Sequence, residues 1–361
     1  MLVRFFITIY FLIPKIDLFY LPGSLTGIRV QDIIVLLLVL TRGSLPKIVL
    51  KPILILGLCI FGNVISNLPV QFIMGSFRIL EYSILGFYIF EYIIRREKTL
   101  KQFMLIIITF NLIISVLQFQ KIIPNFDPGR GLLLSSQFSG FYGTPAELSY
   151  MFVCLIYILI LTQRSKLLKF NAMFPIFNGV LLGGMVILIL GPLLAVLKKL
   201  GKKIFVPFAF VVTTCLLVYI SVIFGKIFND FVDVVVAAQP TLSEIKLSPL
   251  SLDGYASLAQ RLGKWANSIA YLIDHPMSAL IGVGIYSQGG ALDGGLLRLI
   301  FEFGILLSAY ILYCIWKADI RFLLLFVCVN LMFDAYMSSV VAPLLFGIYF
   351  YHLTNRKLQC Q

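Results

Sequence analysis

The chain has 361 residues, of which 60% are hydrophobic and only 12% charged, and it carries a net charge of +13. A soluble domain is roughly 45–50% apolar and about 25% charged, so the composition excludes cytoplasmic, secreted disulfide-rich and disordered classes and points to a chain solvated by lipid. Barrel strands alternate apolar and polar residues in segments of about ten, whereas stretches such as Phe205 to Phe224 are apolar on every side, which favours spanning helices.

Basic residues cluster at Arg4, at Arg42/Lys47/Lys51, Arg95/Arg96/Lys98/Lys101, Arg164/Lys166/Lys169, Lys198/Lys199/Lys202/Lys203, Lys317/Arg321 and Arg356/Lys357, with only Glu97 and Asp319 among them. The remaining chain is net acidic. That segregation reports orientation rather than nucleic-acid binding, because Lys and Arg are retained on the cytoplasmic side. Placing every cluster inside predicts spans near 4–14, 29–41, 52–68, 76–94, 102–120, 143–162, 204–225, 293–315, 322–337 and 339–353, with both termini cytoplasmic. Residues 170–197 lie between two basic clusters and must cross an even number of times, which implies a tight hairpin broken at Asn178, Gly179, Gly183, Gly184, Gly191 and Pro192. The expectation is an all-α, polytopic helical bundle of about twelve spans, forming one membrane domain over 1–361. The first helix precedes no small-residue cleavage site and is read as retained.

Two segments, 121–142 and 226–292, are too polar to span and are read as external loops. In the shorter one, Asp127-Pro128-Gly129-Arg130-Gly131 is a turn presenting an arginine. Thr144-Pro145-Ala146-Glu147 then opens the next span as a capping box, which gives Glu147 a structural role. In the longer loop, Leu252, Tyr255, Leu258, Leu262, Trp265, Ile269 and Leu272 recur at three and four, the stripe of an amphipathic helix. Arg261, Lys264, Ser268 and Tyr271 share another face, either a solvated edge on anionic lipid or a substrate edge. His275-Pro276 ends that helix. Gly282-Val283-Gly284 and Gly289-Gly290 follow, with no βαβ context for a dinucleotide fingerprint. Their glycines suit a loop folded tightly over a ligand.

Asp293 stands at the mouth of the next span, where a helix cap is the structural reading. Arg298 and Glu302 lie inside that span at i and i+4, either as a mutual ion pair or as a functional site facing the bundle interior. Arg78 and Glu81 repeat the pattern, and Asp334 has no partner nearby in sequence. Five of the six cysteines fall in apolar stretches, and no Cys/His/Asp grouping has metal-ligand spacing, so neither metal nor cofactor is expected.

Arg130, Arg261 and Lys264 suit an anionic ligand at the external membrane surface, since arginine forks match phosphate oxygens. A lipid-linked diphosphate would place such cations on a leaving group, with a nearby carboxylate or imidazole to deprotonate an acceptor hydroxyl. The order of motifs resembles the bacterial O-antigen polymerase family, within the superfamily that includes O-antigen ligases. It rests on Phe138-Ser139-Gly140-Phe141, Thr144 to Leu148, Arg261-x-x-x-Trp265, Asp274-His275-Pro276, Gly282-Val283-Gly284, Asp293 and Glu302-Phe303-Gly304.

The resemblance implies a metal-independent inverting glycosyltransferase in the inner membrane. It would polymerise undecaprenyl-diphosphate-linked oligosaccharide repeat units at the periplasmic face, with a chain-length regulator and a lipid-linked sugar flippase as partners. It implies diphosphate roles for Arg130 and Arg261, and base or acceptor-positioning roles for Asp293 and His275. Lys264, Arg298 and Glu302 complete the candidate substrate site. Leu190-Gly191-Pro192 stands where the family commonly has Ser-Arg, and the spacing from His275 to Gly282 is longer than the family's. Ligases usually carry histidine at the position of Asp293, which favours polymerase over ligase. A transporter of lipid-linked sugars is the non-enzyme alternative, and it should show repeat symmetry and sites near the midplane.

Overall fold

The computed structural model describes residues 2–14, 17–19, 27–42, 71–120, 122–123, 142, 145–162, 225–241, 244–245, 256–285, 292–331 and 333–359. The expected spans at 52–68 and most of 204–225, the hairpin at 170–197, and the Arg130 turn lie outside the described residues.

The described chain is mostly helical. The helices are α1 (Leu2–Leu12), α2 (Val30–Arg42), α3 (Gln71–Ile89), α4 (Glu97–Phe119), α5 (Pro145–Leu161), α6 (Gly225–Ala237), α7 (Ala256–Asp274), α8 (Pro276–Ile281), α9 (Gly295–Ala318), α10 (Ile320–Leu331) and α11 (Val341–Gln359). Among the described residues two stretches, Glu97–Gln118 and Gly295–Ala318, are long and apolar enough to cross a membrane, and α1, α2, α5 and α10 carry shorter apolar helices. A feature that apolar periodicity does not foretell is a short antiparallel pair, β1 (Asp17–Phe19) with β2 (Ile28–Arg29), inside the α1–α2 connection.

Three helix ends have a local cause in the sequence. α3 passes into a π-turn, Phe90–Ile94, in which Arg95 N–H donates to Phe90 O at 3.1 Å, and the basic pair Arg95/Arg96 follows. α7 stops before Pro276, whose ring disfavours helical backbone at His275. Pro276 then opens α8 at a position whose N–H would have no helical partner. Residues 322–337, read as one span, divide: α10 stops at Leu331, and a 3-10 turn at Ala335–Met337 leads to α11. The reason is local, since Asn330 Oδ1 accepts the Tyr336 N–H at 3.0 Å and holds the chain in a tight reversal.

The main core is apolar and continuous through α1, α2, α3, α4, α5, α9, α10 and α11. Its closest seam joins α3 to α11, where a Cβ on Gly86 would collide with Phe346 and the Pro343 carbonyl, and Gly347 faces Gly86 in turn. Small residues let two apolar helices bring their backbones together when lipid offers no hydrophobic drive for association. A separate small core of Ile245, Tyr271, Leu292 and Phe301 fixes α7 to α9.

Candidate functional site

Polar groups concentrate at one end of the bundle, around the connection from Phe333 to Val340. Arg298 sits in the first turns of α9, buried at 2% exposure, and donates from Nε to Glu302 Oε1 at 2.8 Å. Its Nη1 donates to Asp334 Oδ2 at 2.7 Å. Glu302 Oε2 accepts from the Tyr336 hydroxyl at 2.9 Å. The i,i+4 pair read from sequence is therefore present, and the Asp334 carboxylate joins it from outside the span in which it was expected. Buried charges persist only when paired and hydrogen-bonded, and this cluster meets that condition by drawing on α9, the α10–α11 connection and the 3-10 turn.

The same connection gathers other helices. Ser338 Oγ donates to Glu147 Oε1 of α5 at 3.1 Å, and Tyr10 of α1 donates to the Ser339 carbonyl at 2.8 Å. Glu147, read as half of a capping box, is buried and turned toward Ser338; Thr144, the other half, lies outside the described residues. Arg78 is likewise more than an in-helix partner of Glu81. It reaches Asp32 of α2 at 3.5 Å and donates to the Gly27 carbonyl at 2.6 Å, and both Asp32 and Arg78 act on the Glu81 carboxyl.

Above the cluster lies the α7–α8 hairpin. Lys264 Nζ and Asp293 Oδ2 form an ion pair at 2.9 Å, and Trp265 Nε1 donates to the Leu292 carbonyl at 3.0 Å. Asp293 has φ 57, a left-handed conformation that short polar residues tolerate best. Its expected capping role is not what its side chain does: Gly294 is the N-cap residue of α9, and the Gly294 N–H donates to Asp334 Oδ1 at 3.0 Å. The carboxylate at the helix mouth comes from Asp334, while Asp293 faces α7.

The faces of α7 also differ from the spacing argument. Its deepest residues are Ala259, Gly263, Ala266, Ser268 and Ala270, whereas Leu262, Trp265, Ile269 and Leu272 lie half-buried on the flank. Ser268 and Tyr271, read as part of a cationic edge, turn inward. Ser268 Oγ donates to the Lys264 carbonyl at 2.7 Å, and Tyr271 packs on Phe301. Burial pushes the Tyr271 phenol above its ordinary range, against the opposing hydrogen bond with Ser278. Arg261 is half-buried near Tyr150 of α5, close enough to act on its phenol electrostatically. Among the described residues it has no hydrogen bond or ion pair to a side chain.

His275 is exposed and stacks on Tyr271, with centroids 4.2 Å apart and planes 12° from parallel. Its Nδ1 lies 3.0 Å from the Tyr271 carbonyl. A nitrogen facing a carbonyl must carry the proton, so in the neutral ring the lone pair resides on Nε2.

The glycine motif has a structural use. Gly304 (φ 76) breaks α9, and the carbonyls left open accept from the loop: Val283 N–H to Phe301 O at 2.9 Å and Gly284 N–H to Glu302 O at 3.0 Å. Gly282 (φ 87) and Gly304 lie backbone against backbone, where a Cβ on either would overlap the other strand. The loop read as folding tightly over a ligand is seen here to close over the broken helix; Gly289 and Gly290 lie outside the described residues.

Among the described residues no group of three or more His, Cys, Asp and Glu could hold a metal ion. The structure thus brings Arg261, Lys264, Asp293, Arg298 and Glu302 to one end of the molecule, with His275 on the rim of the same hairpin. Asp334 and Tyr336 are the members that spacing could not supply. Compared with protein-family models, curated proteins and solved structures, the chain matches none.

Proposed function

We propose that the protein is an O-antigen polymerase of the inner membrane, a metal-independent inverting glycosyltransferase acting on undecaprenyl-diphosphate-linked repeat units at the periplasmic face. The observation that carries this reading is the docking of the polar α7–α8 hairpin onto the first third of α9. It sets the Lys264–Asp293 ion pair at the mouth of α9, with Arg261 a turn earlier on α7 and the imidazole of His275 at the end of that helix. A saccharide carried on a lipid diphosphate needs that combination of cation, base and adjacent membrane.

In the proposed reaction an acceptor hydroxyl of the incoming lipid-linked unit attacks the anomeric carbon of the growing chain. The hydroxyl proton passes to His275 Nε2, the new glycosidic C–O bond forms, and the bond from the anomeric carbon to the diphosphate oxygen breaks with inversion. The negative charge that develops on the departing lipid diphosphate is met by Arg261, with Arg130 of the shorter loop in the same role. Asp293, already neutralised by Lys264, serves better as a positioning group than as the base.

Twelve spans and cytoplasmic termini are part of the proposal. Its support is the charge segregation, together with the pairing of residues that the charge pattern puts on one side. Arg298 with Asp334 and Ser338 with Glu147 fall on the external side, and His352 with Asp319, 3.6 Å apart, on the cytoplasmic side.

The test is deletion of the gene and inspection of surface polysaccharide by gel, with complementation by wild type, Arg261→Ala, His275→Ala and Asp293→Ala at matched expression. A single-repeat band in place of a ladder, uncorrected by Arg261→Ala and His275→Ala, is the expected result. Bare core with accumulated lipid-linked polymer would identify a ligase instead, and units trapped on the cytoplasmic face a transporter. A ladder restored by every variant would overturn the site.

A further inference from the structure

The α7–α8 hairpin is extra-membrane by its polarity, yet its tip exposes an apolar surface. Ile273, Met277, Leu280 and Ile281 are all exposed, Met277 at 65% and Ile281 at 67%, while Ser278 and Ala279 turn inward. Four large apolar side chains within nine positions exceed the scatter of single exposed residues on a solvated surface.

This patch does not stand alone. Gly282 and Gly304 touch, so Ile281 abuts the point where α9 breaks. From Gly295 to Gly304, α9 has no exposed large hydrophobic residue; its exposed apolar face begins with Ile305 and Leu306 and continues to Tyr313 and Trp316. One apolar surface therefore runs from Trp316 along α9 and onto α8.

Helix geometry fixes the depth of that surface. Trp316, beside Lys317 whose ammonium lies over the Tyr313 ring, marks one boundary by the aromatic and basic residues that anchor spans at an interface. At 1.5 Å per residue, Ile305 to Ala318 covers about 21 Å, short of a hydrocarbon core of roughly 30 Å. Gly304, where the helix breaks, lies about 18 Å from Trp316 along it. The end of α8, Leu280 to Gly282, packs against Gly304 and is consequently within the hydrocarbon depth rather than above it.

We infer that α8 lies in the bilayer, a short helix in the leaflet on the α9 N-terminal side whose face of Ile273, Met277, Leu280 and Ile281 is covered by acyl chains. The occupant is lipid because the face adjoins, at the Gly282–Gly304 contact, the exposed apolar residues Ile305 and Leu306 of a membrane-length helix. Asp274 and His275, both exposed, then sit at the head-group level. The inference rests on the membrane reading of α9 and is independent of the glycosyl-transfer reading. Where that reading also holds, a substrate carried on a lipid reaches His275 without leaving the membrane.

The experiment uses the full chain in phospholipid nanodiscs, with its native cysteines replaced and single nitroxide-labelled cysteines introduced by Asp274→Cys, Met277→Cys, Ile281→Cys and Leu306→Cys. Collision with oxygen, which concentrates in lipid, is compared with collision with a water-soluble nickel chelate. Labels at 277 and 281 should match the label at 306, with an oxygen-to-nickel ratio several-fold above that at 274. Ratios at 277 and 281 equal to that at 274, with 306 still lipid-exposed, would overturn the inference while leaving the membrane reading of α9 intact; a water-exposed label at 306 would overturn both. Should the cysteine replacements prevent folding, Met277→Trp in the native chain gives the same decision. Its added fluorescence should be quenched by lipids brominated on their acyl chains, and no added quenching would refute the placement. Loss of polymerase activity has no part in either readout.

Discussion

Arg298 of α9 and Asp334 of the α10–α11 connection meet at 2.7 Å across 36 positions of sequence, and both are buried. The second oxygen of Asp334 holds the Gly294 N–H, so one carboxylate fixes both the mouth of α9 and the guanidinium a turn further in. Removing Asp334 leaves the guanidinium still paired with Glu302 but strips Arg298 Nη1 and the Gly294 N–H of their acceptor, at about 1–3 kcal/mol for each buried group left unsatisfied. Asp334→Ala should lower the unfolding temperature of the purified protein steeply, and Asp334→Asn should do so less, since the amide oxygen can still accept. Replacing Arg298, Glu302 and Asp334 together by apolar residues should recover much of the loss, because no member of the cluster is then left buried without its partner. Single variants with wild-type unfolding would show that the pair contributes nothing to the fold.

The break in α9 makes a second claim on stability. Gly282 and Gly304 hold left-handed backbone and approach each other closely, so a side chain at either position meets both strain and overlap. A non-glycine residue in the left-handed region costs roughly 1–2 kcal/mol before any collision. Gly304→Ala and Gly282→Ala should each destabilise the α8–α9 contact and expose Val283 and Gly284, read as faster amide hydrogen exchange over 276–284. Unchanged exchange in both variants would mean that the close approach is dispensable. Gly294→Ala probes a separate crowding, against the Trp265 ring, and should speed exchange in α7 instead.

Much of this architecture is legible in the order of residues. Apolar runs bounded by basic clusters place α1, α2, α3, α4, α5, α9 and α11 close to their observed ends, and His275-Pro276 marks the end of α7. The i,i+4 spacing of Arg298 and Glu302 is sufficient to read their pairing. Asp334 is not legible in that way, because its partner comes from tertiary packing across a chain reversal set by Asn330. The buried face of α7 is obscured for a different reason: hydropathy weights large side chains, and the closest packing uses Ala259, Gly263, Ala266 and Ala270, whose small size is what permits it. Gly282-Val283-Gly284 carries the composition of a ligand loop, and only the open carbonyls at Phe301 and Glu302 reveal its partner.

In the glycosyl transfer proposed above, Asp293 and His275 divide in role on geometric grounds. Asp293 is committed to Lys264 at 2.9 Å, whereas His275 holds Nδ1 on a carbonyl and leaves Nε2 open. A general base contributes typically 10²–10⁴-fold, so His275→Ala should reduce polymer formation by about that factor with binding of the lipid-linked donor retained. Asp293→Asn should cost less, and the exchange of Lys264→Asp with Asp293→Lys should restore part of what Lys264→Asp alone removes. The reverse ordering, with His275→Ala active and Asp293→Asn inert, would assign the base to Asp293.

At the far end of the bundle Asp319 joins α9, α10 and α11. It accepts from Arg321 Nη2 at 2.8 Å and from the Arg321 N–H at 2.7 Å, and lies 3.6 Å from His352 Nδ1; Nε2 of that ring is 3.2 Å from the Tyr157 hydroxyl. Burial opposes ionisation of Asp319, but the hydrogen bonds from Arg321 and the field of His352 outweigh it and hold the carboxyl below its ordinary 3.8. A carboxyl whose value is depressed in the folded state adds stability that is complete above its unfolded value and is lost as pH falls through the folded one. Acid unfolding should therefore include a component below about pH 4 that Asp319→Asn abolishes. In thermal unfolding of the detergent-solubilised protein between pH 7 and pH 3, wild type should be the more stable at neutral pH and the two curves should converge toward pH 3. A constant gap at every pH would mean that Asp319 acts through packing alone, and the carboxylate would then have no part in tying the three helices together.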